Sequence, residues 1–205
     1  MINRFIRART MTPLYCTSKA IHAMLAELAD FEMQLSEWHS SLPMVVRFPI
    51  PMWGEVLSPL PDELCQILRA RYLNAREFFY RPFVQLCVEN EMTDIAQHLV
   101  EQVAAVASQG LAYSVYRIQA VAVLRHHGTW FTLRFQLTYA FILLAASRAS
   151  ERSDRKGAAG LAIPHAWRET VWTMLDRMSV YWEQNAGGSI RRLTGLLRNE
   201  MGDRL

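Results

Sequence analysis

Apolar side chains recur every three or four residues along most of this chain, the spacing that places them on one face of an α-helix. The clearest case follows Thr17 or Ser18, either of which can cap a helix through its hydroxyl. Its apolar stripe ends before Pro43 and comprises Ile21, Leu25, Leu28, Phe31, Leu35, Trp38 and Leu42. No alternation of apolar and polar residues is long enough for a strand. The pattern predicts an all-α fold, an irregular bundle of about six to eight helices.

Proline and glycine positions divide the middle of the chain. A second helix is expected to begin near Asp62 and to break or kink at Pro82, because the proline ring clashes with the carbonyl four residues earlier. A third helix is expected to be capped by Thr93 and to continue through Gly110, which weakens a helix without ending it.

Three more helices are expected towards the carboxyl end. One spans about residues 129–149, and Pro164 is expected to lie in the first turn of the next, where its missing N–H costs nothing. Gly187 and Gly188 are expected to end that helix, and Ser189 to cap the last one.

Two segments are predicted to be irregular. Residues 43–61 contain five of the eight prolines, which excludes a long helix, yet their apolar residues predict a loop that packs on the body. Those residues are Val45, Phe48, Ile50, Trp53 and Leu57. Residues 150–162 are polar and small, which predicts a solvated loop.

Length and charge limit the possible classes of protein. A chain of 205 residues suits one domain with a substantial core, here residues 17–205 after a variable segment at 1–16. The net charge of +3 is too small to indicate nucleic acid or an acidic membrane as the main partner. The longest apolar run, residues 135–146, is too short to span a bilayer.

No catalytic or metal-binding pattern is present. Cys16, Cys65 and Cys87 lie far apart and form no CxxC pair, so no zinc site or disulfide framework is indicated. His126 and His127 would diverge by about 100° on a helix and could not easily chelate one ion. Nucleophile-elbow, HExxH and phosphate-loop motifs are missing. We therefore expect no enzyme activity and no bound metal.

Most of the arginines and tryptophans singled out by the pattern are expected to have structural roles. Arg71, Arg76 and Arg81 spiral around the second helix, so ion pairs with acids such as Glu77 and Asp62 are expected rather than a phosphate-tracking row. Four tryptophans fall at core positions of helical stripes, and two others are candidates for an interaction surface. The core candidates are Trp38, Trp130, Trp167 and Trp182, and the surface candidates are Trp53 and Trp172.

Four ordered segments resemble the regulatory "middle homology" domain of fungal zinc binuclear cluster (Zn2Cys6) transcription factors. The first is Trp38 with the SLP sequence ending at Pro43, and the second is RYLNAR at 71–76 with RPF at 81–83. The third is RHHGTW at 125–130 with LLAA at 143–146. The fourth is Pro164 with Trp167 and the YW pair at 181–182. The residues that carry the resemblance are Trp38, Pro43, Tyr72, Arg81, Pro82, Phe83, Arg125, His126, His127, Gly128, Trp130, Trp167 and Trp182.

The resemblance implies an all-helical regulatory domain that acts in the nucleus and contacts DNA only through a separate cysteine-rich segment. Six cysteines hold two zinc ions in that family, and three scattered cysteines cannot, so zinc is expected only in a full-length relative. The chain matches from the middle of the family domain, which leads us to expect a truncated form and a protein partner or self-association. A small-molecule effector is also compatible with the family. The alternative is a stand-alone helical interaction or ligand-binding module, nuclear or cytoplasmic.

Overall fold

The computed structural model describes residues 17–89, 92, 94–120, 129–154, 160–182 and 188–202, with backbone alone at 129–130, 152–154 and 180–182. Its described residues form six helices and no strand, which confirms the predicted all-α bundle. The helices are α1 (Ser18–Ser41), α2 (Glu63–Glu89), α3 (Gln97–Gln119), α4 (Thr129–Asp154), α5 (Trp167–Trp182) and α6 (Gly188–Met201).

Side-chain caps define the starts of α1 and α2 as predicted. The Thr17 hydroxyl accepts a hydrogen bond from the Ala20 amide at 3.2 Å, and Asp62 Oδ1 accepts one from the Cys65 amide at 2.9 Å. At the other end of α1, Leu42 is extended because the following Pro43 disfavours the helical conformation. Local chemistry therefore sets these three boundaries.

Helix α2 passes through Pro82 without interruption, so of the two predicted effects, a break or a kink, the break is wrong. A proline inside a helix costs about 3 kcal/mol or more. The next turns bury Phe83, Val84 and Leu86, and each such side chain contributes about 1.5–3 kcal/mol when fully buried. Burial of this segment therefore outweighs the lost hydrogen bond and keeps the helix continuous.

A glycine lies where α2 and α3 cross. A Cβ added at Gly110 would lie 2.8 Å from Cβ of Tyr80 and 3.2 Å from Cγ2 of Val84. The glycine does not end α3, as expected, and it allows the two helices to approach closely. The predicted Thr93 cap lies outside the described residues, and α3 begins after Ala96 with no side-chain cap.

The carboxyl-terminal boundaries differ from the predictions. Helix α4 continues to Asp154, so the first five residues of the predicted 150–162 loop are helical. Polarity alone does not end a helix, and this stretch has no proline or glycine to do so before Gly157. The loop prediction was therefore wrong over residues 150–154.

The start of α5 also lies later than predicted. Pro164 is outside the helix, and its carbonyl accepts a hydrogen bond from the Trp167 amide at 3.0 Å where α5 begins. Helix α6 begins at Gly188, so Ser189 lies inside it and is not its cap. Gly187 lies outside the described residues. Helix α5 therefore begins three residues after Pro164, and α6 begins one residue before Ser189.

Two apolar clusters form the core. The main cluster takes residues from all six helices, with Ile21 and Leu28 from α1 and Ile190 and Leu197 from α6. The smaller cluster joins the proline-rich loop to α2 and α3 and consists of Phe48, Tyr72, Leu73, Ala112 and Tyr116. The loop therefore contributes to the fold through one deeply buried ring.

Most of the proline-rich loop is nevertheless accessible. Phe48 is buried and Leu57 packs against the smaller cluster, as predicted. Val45, Ile50 and Trp53 are exposed, so the expectation that they pack on the body is wrong. A segment with five prolines lacks the regular geometry that would direct alternate side chains inward.

Candidate functional site

A partly buried ion pair and two tyrosine rings join α1, α2 and α3. Nη2 of Arg76 lies 2.5 Å from Oε2 of Glu32, and its Nη1 donates to the Tyr113 hydroxyl. The guanidinium carbon lies 5.0 Å from the Tyr72 ring centroid and 5.3 Å from that of Tyr113. One carboxylate and two aromatic rings therefore compensate this cation.

Burial changes the pKa values of the groups in this network. It raises the pKa of Tyr72 to about 12 and also raises the pKa of Tyr80 and Tyr113. Burial raises the pKa of Glu32 although Arg76 acts in the opposite direction. It also disfavours charged Arg76, but Tyr113 and Glu32 raise the pKa of that guanidinium overall. The phenols stay protonated at neutral pH, which favours a structural role over that of a general base.

A second ion pair lies one turn further along α2. Nε of Arg81 donates to Oε1 of Glu77 at 2.7 Å, and its Nη2 donates to Oε2, so the pair is bidentate. The guanidiniums of Arg81 and Arg117 lie 5.9 Å and 5.7 Å from the Tyr139 ring centroid. The predicted ion pairing is confirmed for Arg81 with Glu77, whereas Arg76 pairs with Glu32 and Asp62 serves as a helix cap.

Most of the described side chains that carry the family resemblance in α2 and α5 are buried, with Arg81 half-buried, and those at the end of α1 are not. Phe83 and Pro82 are buried, as is Trp167 at 5% exposure, which agrees with its predicted core position. Trp38 is 37% exposed, so its predicted core position is wrong. The ring sits in the last turn of α1, where Phe48 and Tyr72 cover only part of it, and Pro43 beyond it is exposed.

The two candidate surface tryptophans behave differently. Trp53 is 55% exposed, which is compatible with an interaction surface. Trp172 is half-buried and packs against the main core. Six predicted residues, or their side chains, lie outside the part of the chain that the structure describes. They are Arg125, His126, His127, Gly128, Trp130 and Trp182.

A cleft of about 250 Å³ lies between the proline-rich loop, α3 and residues 162–166. Trp53 and Glu55 line it from the loop, Tyr116 and Gln119 from α3, and His165 from the opposite segment. The lining combines aromatic surface with a few polar groups, as small-ligand sites do.

Hydrogen bonds fix the loop over this cleft. The Tyr116 hydroxyl donates to the Met52 carbonyl at 2.6 Å. Oε1 of Gln119 accepts a hydrogen bond from the Leu57 amide at 3.1 Å, and its Nε2 donates to the Thr170 hydroxyl at 3.2 Å. One amide side chain therefore joins the loop, α3 and α5.

A second cavity, of about 310 Å³, lies beneath the same loop beside α2. Arg69 of α2 lines it and is 5% exposed. Arg69 is not among the sites predicted from the sequence, although a signal is present: it stands on the buried stripe of α2 with Cys65, Tyr72 and Leu73. A charged residue on an apolar stripe is rare enough to single out as a site candidate.

Metal-binding groups do not assemble in the described part of the chain. Among those residues, no three His, Cys, Asp or Glu side chains come together as a metal site. Neither Cys65 nor Cys87 forms a disulfide with another described residue, and the Cys65 thiol donates to the Val45 carbonyl at 3.7 Å. Every described helix is too short or too polar to cross a lipid bilayer.

Comparison with known proteins adds no family assignment. No family model matches the chain, no curated protein matches it, and no solved structure matches it. The functional interpretation therefore depends on the geometry above and on the resemblance carried by the sequence segments.

Proposed function

We propose that this chain is the regulatory domain of a nuclear transcription regulator of the Zn2Cys6 type and does not itself read DNA. The observation that carries the proposal is the contact between the first two resemblance segments. The Trp38 and Tyr72 ring centroids lie 6.4 Å apart with nearly parallel planes. One turn along α2, Arg76 pairs with Glu32 of α1. Segments far apart in the sequence thus pack together, as expected for shared elements of one domain.

The RPF segment supports the same interpretation. Arg81 is tied to Glu77 within α2 and lies over Tyr139 of α4, while Phe83 is fully buried. A packing role accounts for these residue types without any chemical step, since bidentate arginine pairs and buried aromatic rings specify helix contacts. A scaffold of this kind suits a domain that controls attached segments.

DNA contact would come from a separate cysteine-rich segment. Three cysteines cannot form a six-cysteine cluster, and a charge of +3 gives little non-specific attraction to phosphates. Zinc belongs to that segment and not to this chain. A protein partner or a second copy is proposed as the macromolecular contact, because Trp53 and its neighbours Met52 and Val56 expose apolar surface on the loop.

A reporter assay tests the regulatory role. The full chain is fused to an unrelated DNA-binding domain and compared with that domain alone. We expect the fusion to change reporter expression, and the Trp167→Ala fusion, whose fold is disrupted, to lose the effect. Equal reporter expression with and without the chain, across different nutrient conditions, would refute the proposal.

A gel-shift assay tests whether the chain reads DNA. We expect no sequence-specific shift with the isolated chain. A tight, zinc-dependent and sequence-specific shift would contradict this part of the proposal. An open reading frame with six cysteines directly upstream in the genome would support the proposed separate DNA-reading segment.

The second candidate function is a small-molecule-binding module. The observation in its favour is the cavity beside Arg69, which combines an enclosed charge with apolar walls. The two functions are compatible, because an effector site within a regulatory domain would serve both.

A further inference from the structure

Arg69 differs from the other enclosed arginines. Arg76 and Arg81 pair with carboxylates, and Arg117 donates to the Ala70 carbonyl at 2.7 Å. Nε of Arg69 is buried and has no hydrogen-bond acceptor. The same is true of Nε in Arg76 and Arg117, but those two guanidiniums have partners through their Nη atoms. Among the described residues, no carboxylate pairs with this guanidinium and no carbonyl accepts from it. The described residues therefore leave this guanidinium, which lines the cavity, without a partner.

Burial without a partner is unfavourable for this group. Desolvation lowers the pKa of Arg69, yet a guanidinium remains charged at neutral pH. A buried charge is normally paired or hydrogen-bonded, and one without a partner is among the most costly groups in a protein interior. An anionic ligand would remove that cost.

The cavity walls limit what else could interact with the ligand. Pro49 and Pro51 have no backbone N–H, and the Ser58 hydroxyl is the one side-chain donor in the lining besides Arg69. Apolar side chains complete most of the lining, namely Ile50, Val56, Leu57 and Leu60. A ligand that fits would have one anionic group and an apolar body.

Charge favours a carboxylate over a phosphate. Glu55 also lines the cavity, and its Oε2 accepts a hydrogen bond from the Met52 amide at 2.8 Å. Because Glu55 already offsets the charge of Arg69, a phosphate dianion would leave two uncompensated negative charges in the cavity, whereas a monocarboxylate would leave one. The planar guanidinium also matches a carboxylate with two parallel hydrogen bonds. The volume of about 310 Å³ lies at the lower end of the range for ligand cavities, so the acid is small.

We propose that the cavity between Arg69 and the proline-rich loop binds a small organic monocarboxylate. The carboxylate accepts hydrogen bonds from the Arg69 guanidinium, and the apolar body lies against Ile50, Val56 and Leu60. This inference goes beyond the proposed regulatory role, because binding is measured on the isolated chain and needs no DNA or reporter. Failure of the reporter assay and failure to bind acids are therefore separate results.

Isothermal titration calorimetry of the full chain tests the proposal with acetate, butyrate, hexanoate and benzoate. Hexanamide and benzamide serve as neutral controls of the same shape, and inorganic phosphate as an anion without an apolar body. We expect saturable one-to-one binding of hexanoate or benzoate and at least about tenfold weaker binding of the matching amide, the effect of losing a charge-assisted hydrogen bond. Inorganic phosphate is also expected to bind at least about tenfold more weakly.

Variants show whether Arg69 is responsible. Arg69→Met keeps a long apolar side chain and removes the charge, so we expect it to bind acid and amide equally. Arg71→Met is the matched control, because Arg71 lies two residues away on the exposed face of α2. It is expected to bind hexanoate like the unmodified chain. Glu55→Gln removes the competing carboxylate and is expected to tighten acid binding severalfold, which gives a second readout if Arg69→Met does not fold.

Three results would overturn the proposal. They are no saturable binding by any of the four acids, equal affinity for an acid and its amide in the unmodified chain, and undiminished acid binding by folded Arg69→Met. Phosphate binding that is tighter than that of every carboxylate would reject the monocarboxylate class.

Discussion

Replacing Gly110 by alanine has two opposite effects on stability, because it improves helix propensity and worsens the packing of α2 on α3. Alanine is favoured over glycine by about 1 kcal/mol in a helix interior, so an exposed site would gain stability. At this crossing the new Cβ would lie 2.8 Å from Cβ of Tyr80. Carbon atoms pack best at about 3.5–4.0 Å, so α2 and α3 would have to separate by roughly 0.7–1.2 Å.

The packing penalty should exceed the gain in helix propensity. Cβ of Tyr80 is attached to the α2 backbone and cannot rotate away, so the helices themselves must move. Forcing an extra methyl group into a packed core typically costs about 1–3 kcal/mol. Because the overlap here is with a backbone-fixed atom, we expect a cost near the upper end and a net destabilisation of about 1–2 kcal/mol.

Urea denaturation measures the free energy of unfolding of Gly110→Ala, with Gly195→Ala as the matched control. Gly195 lies inside α6, and a Cβ there meets no atom within 4 Å. We expect this control to gain about 0.5–1 kcal/mol. If both variants gain stability equally, α2 and α3 do not pack as closely as described and the reasoning fails.

Three further predictions concern stability. Arg69→Met should raise the free energy of unfolding of the ligand-free chain by about 1–4 kcal/mol in urea, and a loss would show that Arg69 has a partner in solution. Trp167→Ala should lower it by about 3–5 kcal/mol because the ring is buried, and a loss below about 1 kcal/mol would place the ring at the surface. On alkaline titration followed by tyrosinate absorbance, Tyr72 and Tyr80 should ionise well above the usual value of about 10. Since their folded pKa values are raised, their contribution to stability is complete below about pH 10 and is lost as the pH rises towards 12; ionisation of all tyrosines together near pH 10 in the folded chain would contradict this.

Local signals in the sequence predicted the helices where they act within one turn. Thr17 and Asp62 have side-chain oxygens that satisfy free amides at a helix start, and this requires nothing from the rest of the molecule. Pro82 shows the limit of such signals. Its effect on α2 depends on how much surface the next turns bury, and periodicity does not reveal the depth of burial.

Residues of the candidate sites were harder to predict because their environment comes from distant segments. The face of α1 that carries Trp38 was correctly predicted, but Phe48 contacts only part of the Trp38 ring and the rest of it is exposed. Arg69 could be recognised as a charged residue on a buried stripe, yet its lack of a partner is visible only once the proline-rich loop is placed above it. The pairing of Arg76 with Glu32 likewise depends on how α1 docks on α2.

Because Gln119 hydrogen-bonds both the proline-rich loop and α5, the backbone amide of Leu57 can report on how closely α5 packs on α3. The Gln119 side chain holds the Leu57 N–H from one side and the Thr170 hydroxyl from the other. Any motion that carries α5 away from α3 releases half of this bridge and lets the glutamine rotate. Deuterium uptake at Leu57 would then rise, so exchange at a single loop position would measure how firmly the carboxyl-terminal helices close on the rest of the bundle.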